Sequence, residues 1–178
     1  TWRVHRTPDQ EPVRIWVNLS ARQLGDPDLL NYVQSAIDDA GITTDEICLE
    51  ITESALMGDA ETATEQLDEL RRLGISLGID DFGIGWSQFG YLQRLPLDVL
   101  KIDRSFVSGL GTEKSATTIV AAIIDLAHAL GLIVIAEGVE TRQQLDVLTE
   151  LDCDQALGFY FSQPQSPEAF DEVLTPLT

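Results

Sequence analysis

Basic side chains are scarce in this sequence of 178 residues. It has 11 lysines and arginines against 30 aspartates and glutamates, which leaves a net charge of −19. A surface of that sign repels the phosphate backbone of nucleic acids and the anionic face of a membrane. We therefore expect no DNA or RNA polymer among its partners. No apolar run reaches the roughly 18 residues that a membrane-spanning helix needs, so we expect no spanning segment in this sequence.

Cysteine is nearly absent as well. The two cysteines, Cys48 and Cys153, lie in or beside apolar strand-like segments without the spacing of a zinc site. We expect buried, reduced thiols and a cytoplasmic location. The sequence starts without methionine or an apolar signal segment, so we interpret it as a piece of a longer protein. A membrane anchor of the parent protein, if it has one, would lie outside this chain.

Short β-branched runs alternate with amphipathic helical stretches along the whole chain. Apolar strands separated by helices indicate a parallel sheet that is covered on both faces. Thr141 and Gln144 predict a capping box at the start of one of the helices. The segments predicted as strands are 13–18, 46–51, 76–81, 98–103, 132–137 and 156–162.

Polar residues follow most of these strands and decide between two parallel folds. A doubly wound sheet binds its ligand at one switch point, whereas every strand of a β/α barrel ends at the same face. We therefore predict an α/β fold, a modified TIM-type β/α barrel. Because such barrels have eight β/α units, we expect about six of them here and two outside the chain on its N-terminal side. The strand-end residues are Asn18, Glu50, Asp80, Asp81, Lys101, Asp103 and Glu137.

Carboxylates, an amide and an ammonium would meet at that end of the barrel. Taken alone, an acid at a strand end is commonly the cap of the next helix. Several carboxylates in one place repel one another unless cations lie between them. Their oxygens suit Mg²⁺ or Mn²⁺, and adjacent aspartates such as Asp80 and Asp81 can each face a different ion. Lys101 could orient or help to deprotonate a metal-bound water.

Six longer motifs resemble those of a known family. In order and spacing they closely resemble the EAL-domain cyclic-di-GMP phosphodiesterases of bacterial signalling over essentially the whole chain. The resemblance implies a modified β/α barrel that hydrolyses cyclic-di-GMP to linear pGpG with two Mg²⁺ or Mn²⁺ ions. It also implies a homodimer, with a regulatory or diguanylate-cyclase domain elsewhere in the parent protein. The motifs are VNLSARQL (17–24), LEITES (49–54), DDFGIGWSQF (80–89), LPLDVLKIDRSFV (95–107), IAEGVET (135–141) and GFYFSQP (158–164).

The resemblance implies a ligand set for the two metal ions. By motif, Asn18 and Glu50 resemble ligands of the first ion, and Asp80 resembles the ligand that bridges both ions. Asp81 and Glu137 resemble ligands of the second ion.

Other roles follow from the same motifs. Lys101 matches the lysine that contacts the attacking water, and we count Asp103 and Glu137 with it as catalytic residues. Glu53 matches the glutamate that braces the loop beginning with the two aspartates. The residues that we expect to contact the substrate are Ser20, Gln23 and Pro164.

The sequence also departs from the family pattern. It contains no Glu-Ala-Leu motif, whose glutamate lies upstream of Asn18 in family members, so the first ion would lack one carboxylate. We therefore assign 1–178 to an EAL domain without its N-terminal strands and that motif. Leu157 stands where the family has glutamine, Ile84 where threonine is usual, and Trp86 where tyrosine is usual.

The sequence leaves two alternatives to the first function, hydrolysis of cyclic-di-GMP. The second function, favoured by the departures, is that of a sensor: a catalytically weak or inactive EAL-like domain that binds cyclic-di-GMP or a protein partner. The third is that of a barrel enzyme that forms an enolate with a lysine base and one Mg²⁺. The paired aspartates and the amide of Asn18 argue against it. Substitution of Asp81 separates the first two functions, because a catalyst would lose turnover and a sensor only affinity.

Overall fold

The computed structural model describes residues 14–57, 60–83, 92–166 and 169. Within these residues six β-strands form one sheet, and every neighbouring pair is parallel. The strands are β1 (Ile15–Leu19), β2 (Ile47–Thr52), β3 (Ser76–Phe82), β4 (Val99–Ile102), β5 (Ile133–Ala136) and β6 (Gln155–Ala156).

The strands follow one another across the sheet in chain order, from β1 to β6. A doubly wound sheet reverses its strand order at a switch point, whereas the strands of a β/α barrel keep chain order. The order therefore agrees with the barrel predicted from the strand ends. Because the strands are parallel, the carboxyl ends of all those that carry predicted site residues lie at the same end of the sheet.

The last strand is much shorter than predicted. The segment 156–162 was expected to be a strand, but β6 ends at Ala156, and the chain then turns, with Phe161 N donating to Gly158 O. Phe159 and Phe161 are 59% and 54% exposed. Aromatic residues are frequent in strands because they pack on a half-buried sheet surface. Here they face solvent, so the aromatic residues of 156–162 did not indicate a strand.

Helices connect the strands. The predicted capping box of α6 is present: Thr141 Oγ1 accepts from Gln144 N at 3.2 Å, and Gln144 Oε1 accepts from Thr141 N at 2.9 Å. None of the helices within the described ranges combines the length and the apolarity that crossing a membrane requires. The helices whose bounds fall within the described residues are α1 (Ala21–Leu24), α2 (Leu29–Ala40), α3 (Ala60–Arg72), α4 (Arg104–Val107), α5 (Lys114–Ala129) and α6 (Arg142–Glu150), with 3₁₀ turns at Thr44–Glu46 and Glu53–Met57.

The hydrophobic core joins one face of the sheet to the helices. Leu49 and Leu77 lie opposite each other on β2 and β3, and both are buried in the same cluster as Leu67 of α3 and Ile124 of α5. Each such side chain stabilises the fold by about 1.5–3 kcal/mol relative to exposure. Because side chains alternate along a strand, the residues between these point to the opposite face of the sheet. That second face carries Asn18, Glu50, Asp80 and Lys101.

The two cysteines are free thiols. Cys48 lies on β2 and is fully buried, and burial raises the pKa of its thiol to about 12. Cys153 is only half-buried, so the expectation of two buried thiols holds for Cys48 alone. Burial outweighs Arg14 and Lys101, which act to lower the pKa of Cys48, and burial also raises the pKa of Cys153, so neither thiol is a strong nucleophile.

Candidate functional site

Four predicted site residues meet at the carboxyl ends of neighbouring strands. Lys101 of β4 is at their centre, with its Nζ 2.5 Å from Glu50 Oε1 of β2 and 3.5 Å from Asp80 Oδ1 of β3. It also contacts Glu137 Oε1, which follows β5 directly. We call Glu50, Asp80 and Glu137 the carboxylate cluster. One ammonium therefore serves three carboxylates from three different strand ends.

The cluster is largely shielded from water. The side chains of Lys101 and Glu50 are 8% and 6% exposed, and that of Glu137 is 27% exposed. Burial by itself would lower the pKa of Lys101, but its hydrogen bonds to Glu137 and Glu50 outweigh burial and raise the pKa. Burial raises the pKa of Glu137 despite the opposing effect of Lys101. The charged ammonium is thus what allows the carboxylates to lie together.

Asp80 and Asp81 occupy a bulge in β3, where that strand has one residue more than β4. Asp81 has a φ of 55°, a left-handed conformation that aspartate tolerates better than most residues, and its N–H donates to Asp80 Oδ1 at 3.0 Å. The bulge places two adjacent carboxylates at one strand end, with Asp80 near Lys101 and the Asp81 side chain exposed. The strand pairs on either side of the bulge are Ile79 with Leu100 and Phe82 with Ile102.

Glu53 contacts the segment that follows the bulge. Its Oε2 accepts from Gly83 N at 3.3 Å. Gly83 has a φ of 99°, and a Cβ there would lie 2.8 Å from the ring of Phe106, so glycine suits this position for two reasons. The hydrogen bond is compatible with the predicted bracing role, which stays a prediction. Ile84 and Trp86, the two loop departures, lie outside the described residues.

Asp103 has a structural partner of its own. It is the N-cap of α4, and its Oδ1 accepts from Ser105 N at 2.9 Å. Burial alone would raise the pKa of Asp103, but the hydrogen bonds from Ser105 outweigh it and lower the pKa. Helix capping explains this residue without a catalytic role. Its predicted role in catalysis stays a prediction.

Ser20 and Gln23, two of the expected substrate-contacting residues, follow β1 at this end of the sheet. Ser20 and Gln23 form the capping box of α1, in which Ser20 Oγ accepts from Gln23 N at 3.3 Å and Gln23 Oε1 accepts from Ser20 N at 3.1 Å. Asn18 lies opposite Glu50 in the β1–β2 register and, with Ser20, lines a shallow depression of about 380 Å³. Pro164 is exposed in the segment after β6.

Sequence reasoning missed Trp16. The Nζ of Lys101 lies 5.8 Å from the centroid of its indole, within the range of a cation–π interaction. Gly78 of β3 lies beside this ring, and a Cβ there would be in van der Waals contact with it at 3.4 Å. The available signal was that Trp16 precedes Asn18 by two residues on one strand, so both point to the same face.

The oxygen donors at this end of the sheet fit a magnesium or manganese ion by their chemistry. Carboxylate and amide oxygens are the ligands that these hard cations prefer. Across the part of the chain that the structure describes, no three Asp, Glu, His or Cys side chains are arranged to hold a metal ion. The positive charge among the carboxylates is that of Lys101.

The sequence matches a known family along most of its length. The family model of the EAL domain matches residues 1–164. This chain belongs to the EAL-domain family. It is 44% identical over 164 residues to the cyclic di-GMP phosphodiesterase NbdA of Pseudomonas aeruginosa, an alignment that covers 92% of the chain and 21% of NbdA. The chain spans about a fifth of the length of the first curated relatives that it matches.

Solved EAL structures have the same fold. The EAL domain of Mycobacterium smegmatis DcpA superposes with a TM-score of 0.90 at 38% identity, covering 97% of this chain and 77% of that domain. The calcium and cyclic-di-GMP complex of Klebsiella pneumoniae BlrP1 gives a TM-score of 0.79 at 30% identity, covering 85% and 39%. The predicted α/β fold, a TIM-like barrel of parallel strands, is therefore confirmed.

Proposed function

We propose that this EAL domain hydrolyses one phosphodiester bond of cyclic-di-GMP to give linear pGpG, with two Mg²⁺ or Mn²⁺ ions as cofactors. The main support is the convergence of Glu50, Asp80 and Glu137 on Lys101 at the carboxyl end of the sheet. In β/α barrels the reacting groups lie at that end. Further support comes from NbdA, named as a cyclic di-GMP phosphodiesterase, and from BlrP1, which binds cyclic-di-GMP with calcium.

The chain's own groups have distinct tasks in this proposal. Bound divalent ions would neutralise the phosphate and stabilise the attacking and leaving oxygens. The ammonium of Lys101 has three N–H donors and no acceptor, so it holds and orients the attacking water. Hydrolysis adds the oxygen of that water to phosphorus, breaks one P–O bond and leaves a proton on the departing oxygen. The residues proposed to hold the ions are Asn18, Glu50, Asp80, Asp81 and Glu137.

Turnover of cyclic-di-GMP with Mn²⁺ or Mg²⁺, followed by nucleotide chromatography, tests the proposal. We expect pGpG as the product and no hydrolysis in excess EDTA. The Asp81→Asn variant is expected to lose turnover, whereas Asp125→Asn, an exposed change on α5, retains it. Binding of the nucleotide without any pGpG, in this chain and in the full-length parent, would contradict hydrolysis.

One observation favours a second function, nucleotide binding without hydrolysis. Leu157 follows β6 directly, where its N donates to Ala136 O at 2.8 Å and its O accepts from Val139 N at 2.9 Å. It therefore lies beside the segment that carries Glu137, and its side chain is 47% exposed. Leucine forms no side-chain hydrogen bond, so the contact that a glutamine would make is lost.

The Leu157→Gln variant distinguishes the two functions. If turnover rises while affinity for the nucleotide changes little, the domain is an enzyme weakened by this residue. If both proteins bind cyclic-di-GMP and neither hydrolyses it, the domain is a sensor.

We further propose that the domain, assigned to 1–178, functions as one part of a longer cytoplasmic signalling protein. That proposal includes a regulatory or diguanylate-cyclase domain elsewhere in the parent, and a homodimer as the active form. Light scattering of the full-length protein, with and without cyclic-di-GMP, measures its subunit number. A monomer with full turnover would contradict the dimer.

A further inference from the structure

The ammonium of Lys101 lies where a cation bound to the carboxylate cluster would need to be. Its Nζ is 2.5 Å from Glu50 Oε1, is 3.5 Å from Asp80 Oδ1, and contacts Glu137 Oε1. All three carboxylates belong to the ligand set proposed for the metal ions. The lysine side chain is 8% exposed, so water provides little screening between it and these oxygens.

Given the proposed metal dependence, we infer that Lys101 is the counter-ion of the metal-free site and competes with divalent cations for Glu50 and Glu137. A hard divalent cation binds a carboxylate oxygen at about 2.0–2.6 Å, which is the separation that the ammonium already takes on Glu50. Both cations cannot occupy the same side of one oxygen, and like charges this close repel strongly. Metal entry therefore requires the ammonium to leave these two oxygens.

A second partner for the displaced ammonium lies on the same face of the sheet. The indole of Trp16 is 5.8 Å from Nζ, and the electron-rich face of a tryptophan attracts a cation. Lys101 can therefore leave Glu50 and Glu137 without entering an apolar environment. Metal binding becomes an exchange of cations in the carboxylate cluster rather than the filling of an empty site.

Selective acetylation tests this exchange in the unmodified protein. The chain has only two lysines, Lys101 and Lys114, and Lys114 is exposed at the start of α5 and serves as the internal reference. We would acetylate the protein to low conversion, with and without saturating Mn²⁺ and without nucleotide, and count both modified lysines by mass spectrometry. We expect Mn²⁺ to raise the acetylation of Lys101 severalfold relative to Lys114. Unchanged or lower acetylation at saturating Mn²⁺ would overturn the inference.

Three variants test the same competition by Mn²⁺ affinity in calorimetry. Lys101→Gln removes the charge and is expected to bind Mn²⁺ at least about tenfold more tightly, because a unit charge at this distance is worth more than that factor. Lys101→Arg keeps the charge and should bind no more tightly than the wild type. Lys114→Gln should match the wild type. Equal or weaker binding by folded Lys101→Gln overturns the competition.

The outcomes also separate this inference from the proposed function. If the wild type and Lys101→Gln bind Mn²⁺ equally well, the competition fails while metal dependence stands. If neither protein binds Mn²⁺ at all, both fail. Should Lys101→Gln not fold, the acetylation result on the wild-type chain decides alone.

Discussion

Carboxylates at the two ends of the sheet differ in how they are paired with hydrogen-bond donors and cations. At the amino end, Asp98 precedes β4 and has partners of its own. Its Oδ2 accepts from Leu77 N on the neighbouring strand at 3.0 Å, and its Oδ1 accepts from Arg71 at the end of α3 at 3.1 Å. One backbone donor and one helix-end cation therefore satisfy this side chain.

The same arrangement recurs two strands further along the sheet. Asp154 precedes β6, and its Oδ2 accepts from Val134 N of β5 at 2.8 Å. Its second partner is His128 Nε2, at 2.9 Å, near the end of α5. In both places an aspartate fastens the start of one strand to its neighbour. The pattern is therefore structural.

The carboxylate cluster at the carboxyl end lacks this one-to-one pairing, although Glu53 and Asp103 nearby have backbone donors of their own. Glu50, Asp80 and Glu137 share the single ammonium of Lys101, so negative charge exceeds positive charge. Asp98 and Asp154 are satisfied within the fold, whereas the carboxylate cluster retains capacity for another cation. A carboxylate with partners of its own, such as Asp98 or Asp154, is thus structural, whereas carboxylates that share one cation indicate a candidate functional site.

The largest expected effect is at the carboxyl end. The Asp80→Asn variant should lower turnover of cyclic-di-GMP by at least about a hundredfold, because even outer partners of metal ligands contribute 10- to 100-fold. Its thermal midpoint should change little, since the substitution removes one of several mutually repelling charges. Steady-state kinetics and a thermal melt measure both effects. Near-normal turnover would remove Asp80 from the proposed site.

At the amino end, Asp98→Ala should destabilise the fold without affecting chemistry. The N–H of Leu77, a fully buried residue, would lose its acceptor, which lowers the free energy of unfolding by about 1–3 kcal/mol. Urea denaturation measures that change. Turnover per folded molecule should equal that of the wild type, and a large loss would mean that the two ends are not independent.

Asp154 provides a test through pH. Burial by itself would raise its pKa, but the hydrogen bonds from Val134 N and His128 outweigh burial and hold it below the ordinary value of 3.8. Its stabilising effect is therefore complete above pH 3.8 and is lost as the pH falls through the lower, folded pKa. The stability gap between the wild type and Asp154→Asn should shrink in that acidic range. Urea melts at a series of pH values measure the gap, and a constant gap would contradict this account.

The smallest effect is expected for Arg71→Gln. The side chain of Arg71 is 51% exposed, and exposed ion pairs contribute at most about 1 kcal/mol. Asp98 keeps its bond from Leu77 N in this variant, so the free energy of unfolding should fall by less than in Asp98→Ala. The difference should shrink further at high salt. An equal effect of both variants would show that the ion pair, rather than the backbone bond, fastens the strand.

The sequence predicted the strands well where the local pattern was continuous and apolar. The predicted segment 46–51 differs by one residue at each end from Ile47–Thr52, and the segment 76–81 differs from Ser76–Phe82 by one residue at its end only. The helix start at Thr141 followed from an equally local rule. β6 was misjudged because aromatic side chains indicate a strand only when a sheet or core covers them. That cover depends on parts of the chain distant in sequence.

The sequence predicted which residues lie at the carboxyl ends of the strands, but not how they are arranged around one another. Glu50, Asp80, Lys101 and Glu137 do lie together in the structure, while their roles stay predictions. The central position of Lys101 depends on the register between β3 and β4, which the sequence does not reveal. The bonds of Asp98 and Asp154 to neighbouring strands were missed for the same reason.

The bulge in β3 has an evolutionary consequence. Because it adds one residue between two regular strand pairs, deletion of the Asp81 codon would leave Phe82 opposite Ile102, with its ring still in the core. The strand would become regular and would keep Asp80 beside Lys101. A lineage could therefore lose one carboxylate in a single event without any repair elsewhere in the fold. If the proposed hydrolysis depends on Asp81, such a step would leave a domain that binds the nucleotide without cleaving it.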